Sequence, residues 1–145
     1  MKYVVDTNIL NWLIDGIIDS DSLPRDGELV ATQIQIDEIN KTADVDRRAR
    51  LFLAFASSSS GLLPTETTIF DVSRYGFSKL GDGAIYTSIK SQLDAKNGGR
   101  PGNIGDALIA EVAIVNGLTL LTADRDLAKV AEDHGGSVRL FTTHP

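Results

Sequence analysis

The chain has 145 residues, 42% of them hydrophobic and 23% charged, with a formal net charge of −6. This composition is typical of a globular protein, and residues 1–145 are long enough to form a single domain with its own core. The sequence contains no cysteine and only two histidines, which excludes disulfide scaffolds, thiolate zinc sites and cysteine nucleophiles and disfavours a histidine metal centre.

Predicted strands and helices alternate along the chain. Short runs rich in β-branched and aliphatic residues predict buried strands, whereas apolar residues at helical spacing predict helices. The predicted strands are residues 2–5, 29–32, 62–63, 118–122 and 137–141. The predicted helices are residues 9–14 (capped by Thr7 and Asn8), 33–40, 44–56, 69–77, 84–96, 106–116 and the segment from Asp124 to the glycines at 135 and 136. This alternation predicts a three-layer α/β/α domain with a mainly parallel sheet of four to five strands.

Two segments are predicted to lack regular structure. Residues 57–61 read SSSSG and are interpreted as a linker or loop. Residues 96–105 contain four glycines and one proline, and lead into the apolar helix that begins at Asp106. Gly117 is expected to end that helix.

Acidic residues follow several predicted strands. Asp6 comes directly after the first strand, and Asp124 comes two residues after the strand that ends at Thr122. Asp106 lies in the first turn of its helix, and Glu38 lies one to two turns beyond the second strand, with Asp37 beside it expected to point away. In open parallel sheets, ligands bind beyond the carboxyl ends of the strands, so these acids are candidates for one shared site.

Each of these acids also has a purely structural interpretation. An Asp beside a helix start is more often an N-cap than a ligand, which applies to Asp6 and Asp124, and Glu38 alone would be a solvated helix residue. Convergence of the four carboxylates would raise their pKa values unless a cation compensated the repulsion. Mg²⁺ and Mn²⁺ suit such an all-oxygen set of ligands.

Four segments, taken together and in order, resemble the PIN-domain family, and especially VapC-like ribonuclease toxins of toxin–antitoxin pairs. The segments are VVDTNIL at 4–10, the T-x5-E spacing from Thr32 to Glu38, GDALIAEVAI at 105–114 and LLTADRDL at 120–127. The resemblance covers nearly the whole chain, and residues 57–100 carry no motif. It implies a metal-dependent ribonuclease that hydrolyses RNA phosphodiester bonds.

The resemblance also implies a role for each matching residue. It assigns binding of one or two Mg²⁺ or Mn²⁺ ions to four catalytic acids, Asp6, Glu38, Asp106 and Asp124. Asn8 would orient the first acid or the attacking water, and Thr122 would support the fourth acid by hydrogen bonding. Asp126 is an alternative to Asp124, because the DRD segment offers two acids two residues apart. Asp124 is preferred because it lies nearer the strand end.

An acidic protein needs local positive charge to bind RNA, because phosphate contacts dominate that affinity. The candidate phosphate contacts are Arg47, Arg48, Arg50, Arg100 and Arg125. The first three are equally well explained as a solvated helix face. The resemblance further implies a homodimer and a cognate antitoxin partner. No apolar run approaches the ~20 residues that span a bilayer, so the protein is expected in the cytoplasm.

Other functions fit the sequence less well. A haloacid-dehalogenase-type phosphatase needs an acid two residues after the first Asp, where this chain has Asn8. A dinucleotide-binding module needs a glycine-rich turn after the first strand, which is missing here. The remaining alternatives are a catalytically inactive PIN-like binding scaffold, which would usually lack one of the acids, and a stand-alone RNA-processing nuclease.

Overall fold

A computed structural model describes residues 2–58, 61–62 and 84–142. Its strands are β1 (Lys2–Val5), β2 (Glu28–Ala31), β3 (Gly61–Leu62), β4 (Thr119–Thr122) and β5 (Ser137–Leu140). Its helices are α1 (Thr7–Ile14), α2 (Gln33–Asn40), α3 (Val45–Ser58), α4 (Ala84–Asn97), α5 (Asn103–Asn116) and α6 (Arg125–Asp133), with a short 3-10 turn at Ser20–Ser22. The helix predicted at 69–77 lies outside the described residues.

The five described strands form one parallel sheet in the order β3-β2-β1-β4-β5. Val4 in the central strand β1 is paired with Val30 of β2 and with Leu120 of β4. The order reverses at β1, because the chain moves outward to β2 and β3 on one side and to β4 and β5 on the other. Such a switch point opens a crevice at the carboxyl ends of the central strands. The predicted α/β/α fold with a parallel sheet is confirmed.

Alternating side chains of the central strands pack into two separate hydrophobic clusters, one on each face of the sheet. Val4 packs on one face of the sheet with apolar side chains of α4, α5 and α6, including Ile89 and Leu108. Tyr3 and Val5 point to the other face, where they pack with Ile9 of α1. Period-two alternation in a strand buried on both sides explains why β1 is almost wholly apolar. No helix within the described ranges is long and apolar enough to cross a membrane.

Two helix starts differ by two or more residues from the sequence prediction. Helix α1 begins at Thr7 with Asp6 in the N-cap position, so Thr7 and Asn8 lie in the first turn and do not cap it. Helix α5 begins at Asn103, three residues before the predicted start. Asn103 is completely buried, and its side-chain amide donates hydrogen bonds to Asp94 Oδ1 and Asn97 Oδ1 of α4, both at 2.8 Å. These bonds draw the start of α5 against the end of α4.

Candidate active site

The site begins where the two central strands end. β1 and β4 are neighbours, so Asp6 and Asp124 emerge at the same edge of the sheet. The buried Thr122 connects them: its Oγ1 donates a 2.8 Å hydrogen bond to Asp6 Oδ2 and accepts one of 3.0 Å from the Asp124 backbone N–H. Thr122 was expected to support the fourth acid, and the structure shows that its hydroxyl contacts the first acid as well.

Helix α2 brings Glu38 to this edge through a network at its N-terminus. Thr32 is the N-cap, and its hydroxyl accepts a 3.1 Å hydrogen bond from the Ile34 N–H. Gln35 Oε1 accepts from the Thr32 backbone N–H at 2.7 Å, while Gln35 Nε2 donates to the Val5 carbonyl oxygen at 2.8 Å. This capping box therefore fixes α2 to the last residue of β1, and Glu38 follows one turn later.

Helix α5 supplies Asp106 in its first turn, where the helix dipole favours negative charge. Gly105, just before it, lies against the Glu38 carboxylate: a Cβ built on Gly105 would be 2.7 Å from Glu38 Oε1. The start of α5 and the end of α2 are thus in close contact at the two acids. Four different elements of the fold bring Asp6, Glu38, Asp106 and Asp124 to one edge of the sheet.

Burial and mutual repulsion raise the pKa values of the central acids. Burial raises the pKa of Asp106 to about 8, and the charges of Asp6, Glu38 and Asp124 add to the effect. Burial raises the pKa of Glu38 to about 6, with a further contribution from Asp6. Burial also raises the pKa of Asp6, against the opposing hydrogen bond from Thr122. Perturbed carboxyl groups in a cleft mark a candidate functional site.

A cavity of about 1130 Å³ opens over these acids. Asp6, Glu38 and Asp106 line it, together with Asn8 at the start of α1. The remaining lining residues are Ile34, Asp37, Asn40, Lys41, Arg100, Pro101, Gly102, Ile104 and Gly105. Asp37 was expected to point away from the site, and it lines the cavity instead. It lies on the same wall as Glu38, and its Oδ1 accepts a 3.2 Å hydrogen bond from Gln33.

The chain matches the PIN domain over residues 3–133, which include all four acids. It belongs to the PIN-domain family. PIN domains are generally nucleases, so the family and the acidic cleft point to the same broad class of activity. A search of curated proteins gives no match.

Solved structures share this PIN fold at low sequence identity. VapBC2 from Rickettsia felis, in complex with a DNA fragment from its promoter, is 20% identical with a TM-score of 0.59, over 97% of this chain and 98% of that one. VapBC-1 from nontypeable Haemophilus influenzae is 19% identical with a TM-score of 0.57 and the same coverage. A domain of a functionally unknown protein from Methanocaldococcus jannaschii is 17% identical with a TM-score of 0.56, over 99% of this chain and 93% of that one.

Asp124 caps helix α6 and lies beside the acid cluster of this PIN domain. Its Oδ1 accepts hydrogen bonds from the N–H groups of Asp126 and Leu127 at 2.9 and 3.2 Å and so caps α6. Its Oδ2 is 3.4 Å from Arg100 Nη2. The charge of Asp124 acts on Asp106, whereas Asp126 lies in the first turn of α6. The effect of the Asp124 charge on Asp106 agrees with the preference for Asp124 over Asp126 as the fourth acid, which stays a prediction.

The predicted phosphate-binding arginines are divided between two regions of the PIN domain. Arg100 lies at the cavity, on the loop that precedes α5. Arg47 on α3 instead forms an ion pair with Asp15, at 2.8 Å, and donates to Asn11 Oδ1 at 2.7 Å. These contacts attach α3 to the end of α1 and favour a structural role for Arg47. Arg48, Arg50 and Arg125 do not line the cavity described above.

The chemistry of this acidic cleft fits a divalent cation. Its ligand atoms are carboxylate oxygens, and Arg100 is the positive group that lowers the pKa of Asp106. The buried hydroxyl of Thr7 lies beside Glu38 and, as a hydrogen-bond donor, lowers the pKa of that carboxyl. Among the residues that the structure describes, no three acids are grouped tightly enough to hold one ion as they stand. The carboxylate oxygens of this cleft thus fit Mg²⁺ or Mn²⁺ by ligand type.

Some site residues were missed in the sequence. Gln35 is not among the predicted site residues, although the Thr32-x-x-Gln35 spacing before an apolar run is the sequence signature of a capping box. Lys41 was also overlooked, because its position on the cavity wall follows from the contact of α2 with α5 and leaves no local signal. Lys41 lowers the pKa of Glu38 by its charge.

Proposed function

We propose that this PIN domain is a divalent-metal-dependent ribonuclease and the toxin of a type II toxin–antitoxin pair. The observation that supports it best is the cluster of three carboxyl groups at the carboxyl ends of β1 and β4, of which Asp6 is buried and Glu38 and Asp106 are half-buried. Their pKa values are raised by desolvation and repulsion. A protein that maintains such repulsion lowers its own stability, and a bound cation relieves it. Asp6, Glu38, Asp106 and Asp124 are the residues that would hold Mg²⁺ or Mn²⁺.

The chemistry that such an ion supplies is Lewis acidity, which favours hydroxide formation near neutral pH and neutralises charge on the phosphate. The chain contributes orientation and charge. The Thr122 hydroxyl holds Asp6 Oδ2 in place by a hydrogen bond. Asp6 Oδ1 is the oxygen that does not take part in this bond. Asn8, at the cavity, would orient Asp6 or the attacking water. Hydrolysis by water would leave a 5′-phosphate on the released fragment.

Arg100 and Lys41 would attract the RNA backbone to an acidic protein. Both line the cavity, Arg100 on the loop before α5 and Lys41 at the end of α2. Arg100 is 57% exposed and lies next to Asp124, so it can contact a phosphate at the edge of the acid cluster. Arg125, exposed beside Asp124, is the second candidate at this end of the site.

If the nuclease is a toxin, it is expected to bind an antitoxin and a second copy of itself. Two of the structures that share the fold are VapBC proteins, which supports a cognate antitoxin that covers the acidic cleft. We also propose a homodimer. A stand-alone RNA-processing nuclease would use the same four acids, and a catalytically inactive scaffold would bind a partner or RNA without cutting it.

The decisive experiment is cleavage of a mixed pool of labelled structured and single-stranded RNAs with Mg²⁺, Mn²⁺ or EDTA. Wild type and Asp6→Asn are compared. We expect cleavage that requires the metal and is lost in Asp6→Asn, while this variant keeps the fold and melts higher than wild type without metal, because one buried charge is removed. Cleavage by Asp6→Asn at the wild-type rate would refute the site. Metal binding without cleavage of any RNA would favour the inactive scaffold.

A further inference from the structure

Gly105 occupies a position where space is restricted. It lies in the first turn of α5, directly before Asp106. A Cβ at this position would be 2.7 Å from Glu38 Oε1 and 3.2 Å from Ile34 Cγ2. Real Cβ atoms are essentially never found within 3.0 Å of another atom, so the Glu38 carboxylate occupies the volume of a side chain that Gly105 lacks.

The conformation of the backbone does not explain this glycine. Gly105 has no positive φ, unlike Gly98, Gly99 and Gly117, so any residue could adopt its helical backbone. Glycine is the least favourable residue in a helix apart from proline. A glycine placed inside α5 without a conformational need is therefore explained by the close approach of α2.

The atom that a larger residue would displace is the end of a flexible side chain. The Glu38 carboxylate can swing away at little cost to the packing of α2 against α5. The Ile34 contact at 3.2 Å requires a shift of only a few tenths of an ångström. A methyl group at position 105 would thus alter the position of a site acid more than it would alter the fold.

We propose that Gly105 is a positioning residue that allows the Glu38 carboxylate to lie against the first turn of α5, beside Asp106. This inference rests on the proposed role of the acids as metal ligands. It makes the pair Gly105 and Glu38 a single unit, in which the small residue sets the location of the large one. The unit links α2 to α5 at the point where the two helices supply their acids.

The test is a double-mutant cycle with Gly105→Ala, Glu38→Asp and the combination of both. Cleavage of the labelled pool of structured and single-stranded RNAs and the rise in melting temperature on addition of Mn²⁺ are measured for each protein. Gly105→Ala should retain the wild-type circular dichroism spectrum and a metal-free melting temperature within about 5 °C of wild type. It should lose roughly 10- to 100-fold in cleavage, the usual effect of changing a group that orients a metal ligand, and most of the Mn²⁺-dependent stabilisation.

The shorter Asp at position 38 removes the carboxylate from the space beside Cα of residue 105. Gly105→Ala should therefore have little further effect when Glu38→Asp is already present. Wild-type cleavage and Mn²⁺ stabilisation in Gly105→Ala would overturn the proposal, and so would full additivity of the two changes. If Gly105→Ala destabilises the fold and Glu38→Asp does not restore it, the contact with Ile34 explains the glycine and the proposal fails.

The two proposals fail in different ways. A wild-type protein that cuts no RNA contradicts the proposed nuclease, yet the Mn²⁺-dependent melting shift still reports whether Gly105 positions Glu38. Glu38→Gln is the matched control for that readout: it keeps the shape of the side chain and removes its charge. Loss of the shift in Glu38→Gln, with no loss in Gly105→Ala, would refute the positioning role alone.

Discussion

At the scale of the residue, one hydroxyl group joins two acids of the site. Thr122 Oγ1 uses its only proton for Asp6 and one of its lone pairs for the Asp124 backbone. The proton thus stabilises the ionised form of a carboxylate whose pKa is raised by burial. A hydroxyl in this place prepares Asp6 to carry a negative charge.

Thr122→Val removes that hydroxyl and keeps the shape of the side chain. We expect cleavage to fall by roughly 10- to 100-fold and the free energy of unfolding to fall by about 1–3 kcal/mol, because a buried carboxylate loses its donor. Thr122→Ser, which retains the hydroxyl, is the control and should remain near wild type. Cleavage rates and denaturant unfolding measure both effects. Equal activity of the Val and Ser variants would show that the hydrogen bond is dispensable.

The acids of the site could be predicted where their spacing from strand ends and helix starts forms a sequence motif. Asp6, Glu38, Asp106 and Asp124 could be singled out from strand ends, helix starts and the family motifs, and the structure places all four at one sheet edge. The position of Asp37 could not be predicted, because the helix face that meets α5 depends on a contact between distant segments. The spacing of the carboxylates was equally beyond the sequence, since it depends on side-chain rotamers.

At the scale of the element, helix α6 is capped by Asp124, which we also propose as the fourth acid of the site. One oxygen of Asp124 caps two N–H groups, and the other faces Arg100. The structural and functional interpretations of Asp124 are thus both compatible with the structure. They make different predictions for substitution.

Asp124→Ala should lower the free energy of unfolding by about 1 kcal/mol, because α6 loses its N-cap. Asp124→Asn should retain most of that stability, since Asn caps helices well, and should nevertheless cleave RNA more slowly if the charge is needed. Thermal unfolding and RNA cleavage of the two variants separate the roles. Full activity in Asp124→Asn would leave Asp124 as a cap alone and would favour Asp126 as the fourth acid.

Most helix bounds could be predicted because periodicity and end signals are local. Helix α2 spans the predicted residues 33–40, and Gly117 ends α5 with φ of 66° as expected. The early start of α5 could not be predicted, because Asn103 is held by Asp94 and Asn97 of another helix. A glycine-rich segment that reads as a loop becomes helical when a neighbouring element supplies its hydrogen bonds.

At the scale of the whole molecule, the carboxyl cluster controls how stability depends on pH. The pKa of Asp106 in the folded protein is about 8 and that of Glu38 about 6, both above their values of 3.8 and 4.5 in an unperturbed chain. Between these limits the unfolded chain has released protons that the folded protein retains. The free energy of unfolding is therefore highest at a pH below the pKa values of the unfolded chain. It decreases as the pH rises toward the pKa values of the folded protein.

Without divalent metal, the melting temperature should fall as the pH is raised from about 4 to about 8, and Asp106→Asn should flatten that slope. Mg²⁺ should stabilise the protein more at pH 8 than at pH 5, because protons compete with the ion for the carboxylates. Differential scanning fluorimetry across this range measures both trends. Glu132→Gln, which removes an exposed acid from α6, should leave the slope unchanged. A melting temperature of the wild-type protein that does not change with pH would contradict the proposed repulsion among the carboxylates.

The hydrogen bond between Thr122 and Asp6 joins residues 116 positions apart in the chain. On a ribosome, β1 leaves the exit tunnel long before β4 is made, so a nascent chain exposes Asp6 without the strand that completes its surroundings. The cleft is therefore assembled only after β4 has been made. If the protein cuts RNA, this order of assembly keeps a copy that has not yet reached β4 harmless to the ribosome that is producing it.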